Sequence, residues 1–324
     1  MRSHRKHLMK YQFEPPPTYF VHVPKTGGLS LGAWLEKLFR PSQCIRLKPP
    51  TLARLTPTDL KQFRFYHALH QGRTMLTLTG RNDLTCLTMV RDPIERSVSQ
   101  IRYLQRVVAQ QPETFTPYYL ASVAPLLQAD LSAPLDPVAF AKACDPQIRT
   151  LGILEDYTPL FKGGPDVASG RSVLRPYPLP PLMDTSDKDL LLANAYSWLQ
   201  EMAVVGIHEH YAKSVTLLCD VLGLPQPAQL PQQNVNPQRS NLTACYQKQL
   251  VPSVLAQLRE WTQHDQALYA FAYHRFQEQW AAYQARPRRT YSIAPRLRQA
   301  IPDPRPALRP LKRLTKRIIQ KVQP

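Results

Sequence analysis

No run of 18 apolar residues occurs anywhere in this 324-residue sequence, so it offers no helix long enough to cross a bilayer. Met1 to Lys10 carries Arg2, Arg5, Lys6 and Lys10 and lacks the apolar core of a secretory leader. Cysteine is sparse: Cys44, Cys86, Cys144, Cys219 and Cys245 are odd in number, scattered and never spaced as Cys-x-x-Cys, which argues for reduced thiols over a disulfide framework. No cluster of His, Cys, Asp or Glu has metal-ligand spacing. The expectation from these absences is a cytoplasmic chain with no signal peptide, transmembrane helix or metal. Acids are also few, 23 against 41 Lys and Arg for a net charge of +18. Twelve of those cations, against the single acid Asp303, lie between Arg286 and Lys321, so that segment alone supplies +11.

What is present begins with Thr18-Tyr-Phe-Val-His-Val-Pro-Lys-Thr-Gly-Gly-Leu-Ser30. Tyr19, Phe20, Val21 and Val23 are strand formers, and Pro24, which has no N–H for a ladder, marks the exit. Gly27 and Gly28 allow a tight turn, after which Leu31, Trp34, Leu35 and Leu38 fall on one helical stripe. A strand breaking into a helix this way aims the unpaired N–H groups of the first turn, the helix dipole and the charge of Lys25 at one point, a disposition that suits a phosphate. It is not a Walker A loop, because the lysine precedes the glycines. A second corner follows: Leu84 to Val90 reads as a strand, Asp92 as an N-cap and Pro93 as the first residue of a helix. Arg91 stands at the strand's carboxyl end, and Ser99 lies two turns on, near Arg96 and Tyr103; an arginine fork with a hydroxyl can clamp a second phosphate. With 43% apolar residues and alternating strand-like and helix-like runs, the chain is expected to fold as α/β, a mostly parallel sheet with helices on both faces and ligands at the strands' carboxyl ends.

The two corners together resemble the sulfotransferases that use 3′-phosphoadenosine 5′-phosphosulfate (PAPS), in particular the branch of heparan sulfate 2-O-sulfotransferase and its bacterial relatives. That family carries Pro-Lys-Thr-Gly-Gly-Thr-Ser for the 5′-phosphosulfate and Arg-Asp-Pro, with a serine eight residues after the arginine, for the 3′-phosphate. Here these are Pro24 to Ser30, and Arg91 with Ser99. Val204-Val-Gly-Ile-His-Glu209, Gln147-Ile-Arg149 and Asp265-Gln-Ala-Leu-Tyr269 resemble three later segments in the same order. The resemblance, which runs from residue 18 to about 280, implies a P-loop-like α/β/α fold. It also implies a donor site of Lys25, Thr26, Gly27, Gly28, Leu29, Ser30, Arg91 and Ser99, with Arg239 contacting the 3′-phosphate end. Leu29 departs from the family's threonine, so one hydroxyl is missing and the donor is expected to bind about 1 kcal/mol more weakly.

Sulfuryl transfer is an in-line displacement in which positioning and charge stabilisation dominate. Lys25 is placed to neutralise the departing nucleotide, adenosine 3′,5′-bisphosphate. The acceptor hydroxyl needs a base that titrates near neutrality, hence a histidine. Phe63-Arg-Phe-Tyr-His-Ala-Leu-His-Gln-Gly72 offers two, His70 and His67. The family's spacing to the Arg-Asp-Pro segment favours His70, and His67 remains the alternative; His22, which alternates with Phe20, reads as a sheet residue. The resemblance implies an acceptor hydroxyl on a carbohydrate or glycolipid.

Three segments divide the chain: a basic extension at 1–14, the sulfotransferase-like domain at 15–285 and an Arg/Pro-rich tail at 286–324. Leu308 to Val322 can form a short amphipathic helix rimmed by cations, a fit to anionic lipid headgroups at the inner face of a membrane. The tail has one aromatic, Tyr291, and no reader motif, so no specific nucleic acid is expected. Two rival readings remain: a nucleotide-dependent kinase of P-loop-like fold, and a non-catalytic membrane or nucleic-acid binding module acting through the tail.

Overall fold

The computed structural model describes residues 14–47, 55, 57–69, 72–114, 117–137, 145–153, 187–231 and 245–286. His70, Arg239, the proline-rich run at 174–181 and the tail beyond 286 lie outside the described residues. Every described element falls within Met1–Ala285, the first of two units into which the chain divides, the second being Arg286–Pro324.

Five strands, β1 (Thr18–His22), β2 (Cys44–Leu47), β3 (Phe65–Leu69), β4 (Thr85–Val90) and β5 (Val204–Ile207), form one sheet. Their order is β2-β3-β1-β4-β5 and all four pairings are parallel. The first strand is therefore central. Connections leaving β1 and β4 run to opposite sides of the sheet, which opens a crevice at the carboxyl ends of these two neighbours.

The main helices are α1 (Gly28–Glu36), α2 (Pro57–Lys61), α3 (Thr74–Thr79), α4 (Pro93–Gln110), α5 (Pro117–Leu127), α6 (Pro146–Gly152), α7 (Lys188–Glu201), α8 (Tyr211–Val221), α9 (Pro252–Trp261) and α10 (Gln263–Ala285). They cover both faces of the sheet. On one face α1 brings Gly28 and Gly32 down on His22 and His67, while Ser214 of α8 meets Gly206. On the other, Trp198 of α7 packs on Tyr19 with ring centroids 6.0 Å apart. Leu31 and Leu35 are fully buried, and Val215, Leu218, Cys219 and Leu222 line the buried side of α8, as their spacing requires. Gly223 follows in the left-handed region (φ 67°), the usual stop for a helix.

A second apolar cluster joins Ile94, Val98, Ile101 and Leu104 of α4 to Val123 and Leu126 of α5 and to Val254 and Leu258 of α9. The long helix α4 thus ties the corner at Arg91 to the C-terminal helices. The described cysteines, Cys44, Cys86, Cys219 and Cys245, are free thiols. Among the described residues no helix is long and apolar enough to cross a membrane.

Strand β2 is not evident from the sequence. It is four residues long at the sheet edge, carries the exposed Arg46, and is recruited by pairing with β3 rather than by its own composition.

Helices α6 and α7 touch through backbone: a Cβ at Gly152 would lie 2.0 Å from the carbonyl oxygen of Leu191. Gly152→Ala is expected to destabilise the fold by about 2 kcal/mol or more, since neither backbone can yield cheaply. A denaturation midpoint equal to the wild type would show that the two helices are not in backbone contact.

Candidate functional site

Residues 24–28 leave β1 with alternating backbone hand. Lys25 is left-handed (φ 71°), Thr26 is not, and Gly27, the N-cap of α1, is again left-handed (φ 85°). Such alternation turns successive N–H groups into one concavity, the arrangement that receives anions. For Lys25 the conformation is strained and must be held by its surroundings. Arg91 holds it, donating from Nη1 to the carbonyl oxygen of Lys25 at 3.2 Å. The Thr26 hydroxyl is turned inward onto the carbonyl of Val23 (2.8 Å), leaving that residue only its backbone to offer. His208 and Tyr211 wall the loop beside Gly27, where a Cβ would stand 3.1 Å from His208 Cδ2. Leu29 projects to solvent, 47% exposed, and Ser30 is half-buried.

The Lys25 ammonium lies 3.7 Å from the centre of the Tyr103 ring on α4. Ser99, half-buried, sits one turn before Tyr103 on the same helix. Burial, and after it the like charges of Arg91, Arg106 and Arg96, lower the Lys25 pKa from 10.5 to about 8. Lys25 therefore stands in the field of three further cations, of which Arg91 touches its backbone.

Asp92 caps α4 as its residue type predicts, accepting from the Glu95 N–H at 2.9 Å. Arg91 is 4% exposed, with Nη2 at 3.4 Å from Glu95, Nε at 3.9 Å from Glu209, and its guanidinium over the Tyr246 ring. It is a buried strut of the site as well as a charge.

Three segments that the sequence marks only by resemblance acquire physical roles here. The Gln147 side chain accepts from the Arg91 N–H (3.0 Å) and donates to the Arg91 carbonyl (2.9 Å). Gln147 is in turn set by Asp265, whose carboxylate accepts the N–H groups of Gln147 (3.2 Å) and Ile148 (2.9 Å) and so caps α6 from another helix. Burial and the neighbouring Asp145 push the Asp265 carboxyl up to about 7, while Arg96 and those two donors pull it down. Glu209, at the end of β5, accepts from the Asp92 N–H (3.2 Å) and from the Tyr269 hydroxyl (3.1 Å). Burial raises its carboxyl above the ordinary range despite Arg91.

Of the residues singled out in the sequence, Lys25, Thr26, Gly27, Gly28 and Arg91 are thus brought to one corner, with Tyr103. His67 lies elsewhere, on the sheet face under α1, 6% exposed, with Nε2 2.9 Å from His22 and Nδ1 3.5 Å from Glu36. Leu69 pairs with His22 at the sheet's carboxyl edge, and Gly72 is fastened there by the Tyr19 hydroxyl at 2.6 Å. Arg149 is exposed. Glu95, which holds Arg91, was detectable as an acid four residues after it on a helix start. Among the described residues no group of three or more His, Cys, Asp or Glu could hold a metal. Compared with protein-family models and with curated proteins, the chain finds no match in either.

Removing the Gln147 amide would leave the buried N–H and C=O of Arg91 without their partner. Gln147→Ala is expected to destabilise by about 2 to 4 kcal/mol in chemical denaturation. Gln147→Glu should also destabilise, because it sets oxygen against the Arg91 carbonyl; wild-type stability in both would show that this amide does not hold the corner.

The Lys25 shift has a sign that can be checked. Between about 8 and 10.5 the unfolded chain binds more protons than the fold, so Lys25 makes the ligand-free protein more stable as pH rises through that window. Cys44, Cys86, Cys219 and Cys245, whose thiols burial raises, cost stability in both proteins over the same range, so urea denaturation at pH 8 and 10 should show a change more favourable in the wild type than in Lys25→Met.

Proposed function

We propose that the protein is a sulfotransferase of P-loop-like fold that moves a sulfuryl group from PAPS to an acceptor hydroxyl. The observation that carries the reading is the meeting of the residue 24–28 loop and Arg91 at the ends of adjacent strands, with Lys25 in the field of Arg91, Arg106 and Arg96. Like charges held together at this density call for a multiply charged anion between them. A nucleotide with phosphates at both ends has that character.

In this reading the loop N–H groups and Lys25 hold the 5′-phosphosulfate, while Arg91, Ser99 and Arg239 hold the 3′-phosphate. The acceptor oxygen attacks sulfur in line as the bond from sulfur to the bridging phosphate oxygen breaks. Lys25 offsets the charge that collects on the leaving adenosine 3′,5′-bisphosphate. His70 takes the acceptor proton. His67 is the weaker candidate, because both of its ring nitrogens face partners within the fold. The acceptor is a glycan or glycolipid hydroxyl, and the basic tail holds the enzyme at an anionic membrane surface on the cytoplasmic side.

Calorimetric titration separates this reading from a kinase: adenosine 3′,5′-bisphosphate should bind, and ATP with magnesium should bind far more weakly. Preference for ATP would overturn it. Affinity for the bisphosphate should fall as pH rises past about 8, where Lys25 loses its proton, and this fall should vanish in Lys25→Met. With labelled PAPS and a cell extract, the wild type should label a hydroxyl product, and Lys25→Ala should reduce the rate by a factor of about 100 or more.

A further inference from the structure

The polar face of α4 extends past the residues already placed. Ser99, Tyr103 and Arg106 fall at i, i+4 and i+7 and are each half-buried, while Ile94, Val98, Ile101 and Leu104 turn the other side of the helix into the apolar cluster with α5 and α9. Their order follows the site. Arg91 stands just before the helix, Ser99 lies in its second turn, and the Tyr103 ring carries the Lys25 ammonium 3.7 Å from its centre. Arg106 comes one turn later, about 4.5 Å of helix rise beyond Tyr103.

Arg106 differs from its neighbours in what holds it. Arg91 is met by Glu95 and Glu209, Arg96 by the Ser97 hydroxyl, and Arg102 by Gln249 and the Tyr246 ring. No hydrogen bond, ion pair or ring contact with Arg106 occurs among the described residues. Its guanidinium keeps its proton at every pH of interest, and its charge is one of those that depress the Lys25 ammonium. That repulsion raises the free energy of the ligand-free protein, and no described acid offsets it at Arg106. A half-buried fork of N–H donors in this position suits an anion that presents two oxygens side by side.

With the 3′-phosphate at Arg91 and Ser99 and the 5′-phosphosulfate at the loop and Lys25, the part of the donor that lies farthest along α4 is its terminal sulfuryl group. We propose that Arg106 holds two non-bridging sulfuryl oxygens of PAPS and is a catalytic residue of the transfer. The inference rests on the donor-site reading above. In the step, the bond from sulfur to the bridging phosphate oxygen breaks and its electron pair stays on that oxygen, beside Lys25. A lone pair of the acceptor oxygen forms the new bond to sulfur, and the acceptor proton goes to the general base. Arg106 keeps its two bonds to the group throughout and offsets the charge that would repel the incoming oxygen. Adenosine 3′,5′-bisphosphate lacks the sulfuryl group, so Arg106 also makes the site prefer the loaded donor to the product.

The test is calorimetric titration of the full chain, without acceptor, with PAPS and with adenosine 3′,5′-bisphosphate. The wild type should bind PAPS about tenfold more tightly than the bisphosphate, the worth of one charge-assisted contact. In Arg106→Gln that ratio should fall to about one, chiefly through weaker binding of PAPS. Arg106→Lys, which keeps the charge and loses the fork, should give a ratio between the two. The stoichiometry of the bisphosphate titration counts the folded protein in each sample. With labelled PAPS and a cell extract, Arg106→Gln should label product about 100-fold more slowly, and more extract should not restore the rate, as it would after loss of an acceptor contact. A ratio that Arg106→Gln leaves unchanged would overturn the inference and leave the donor site standing. So would an equal loss of affinity for both ligands, which would assign Arg106 to a phosphate. A wild type that binds neither ligand would remove both readings.

Discussion

The side-chain amide of Gln147 does for Arg91 what a neighbouring strand would do. β4 is paired to β1 only as far as Thr88 and to β5 as far as Val90, so the next peptide leaves the sheet with its N–H and C=O both in need of partners in a buried place. Gln147 supplies both from 56 residues away in sequence. Held there, the Arg91 side chain turns back to the carbonyl of Lys25, and a non-glycine residue can be kept in a left-handed conformation that the loop needs. The cap by Asp265, the bond of Glu209 to the Asp92 N–H and the hydroxyl of Tyr269 all secure that one peptide from its other sides.

This dependence explains what could and could not be read from the sequence. Elements whose stability comes from a local stripe were legible: α7 runs from Lys188 to Glu201 and α8 starts at Tyr211, as their apolar spacing and caps indicate. Asp92 with Pro93 announced the start of α4 by capping chemistry alone. The site was legible as two corners, because strand formers, glycines and cations are adjacent in sequence. Their convergence was legible only through the family resemblance, since it is set by contacts between positions 91, 147, 209 and 265, and no periodicity or propensity encodes a pairing at that range. The left-handed Lys25 was not legible, because nothing in the residue type favours it.

The histidines illustrate the same division. His22 and His67 alternate with Phe20 and Phe65 on their strands, which in sequence reads as two polar residues on a sheet face. Parallel pairing places His67 opposite Phe20, so the rings of His22 and His67 stack across the ladder. What permits a helix to lie on two imidazoles is the absence of side chains at Gly28 and Gly32. A glycine pair that reads as turn chemistry is thus also packing chemistry, since Gly28 serves the loop and the ring beneath it at once.

The electrostatics of the corner point the same way as its geometry. Glu95 and Glu209 both approach Arg91, while the Lys25 ammonium lies against an aromatic ring and in the field of three arginines. Tyr103 offers only a quadrupole, which favours a cation far less than a carboxylate does in a desolvated place. A fold selected for stability alone would gain by setting an acid beside Lys25. Leaving that position to an aromatic keeps the loop positive and raises the free energy of the empty site, which is the disposition that the proposed anionic donor requires.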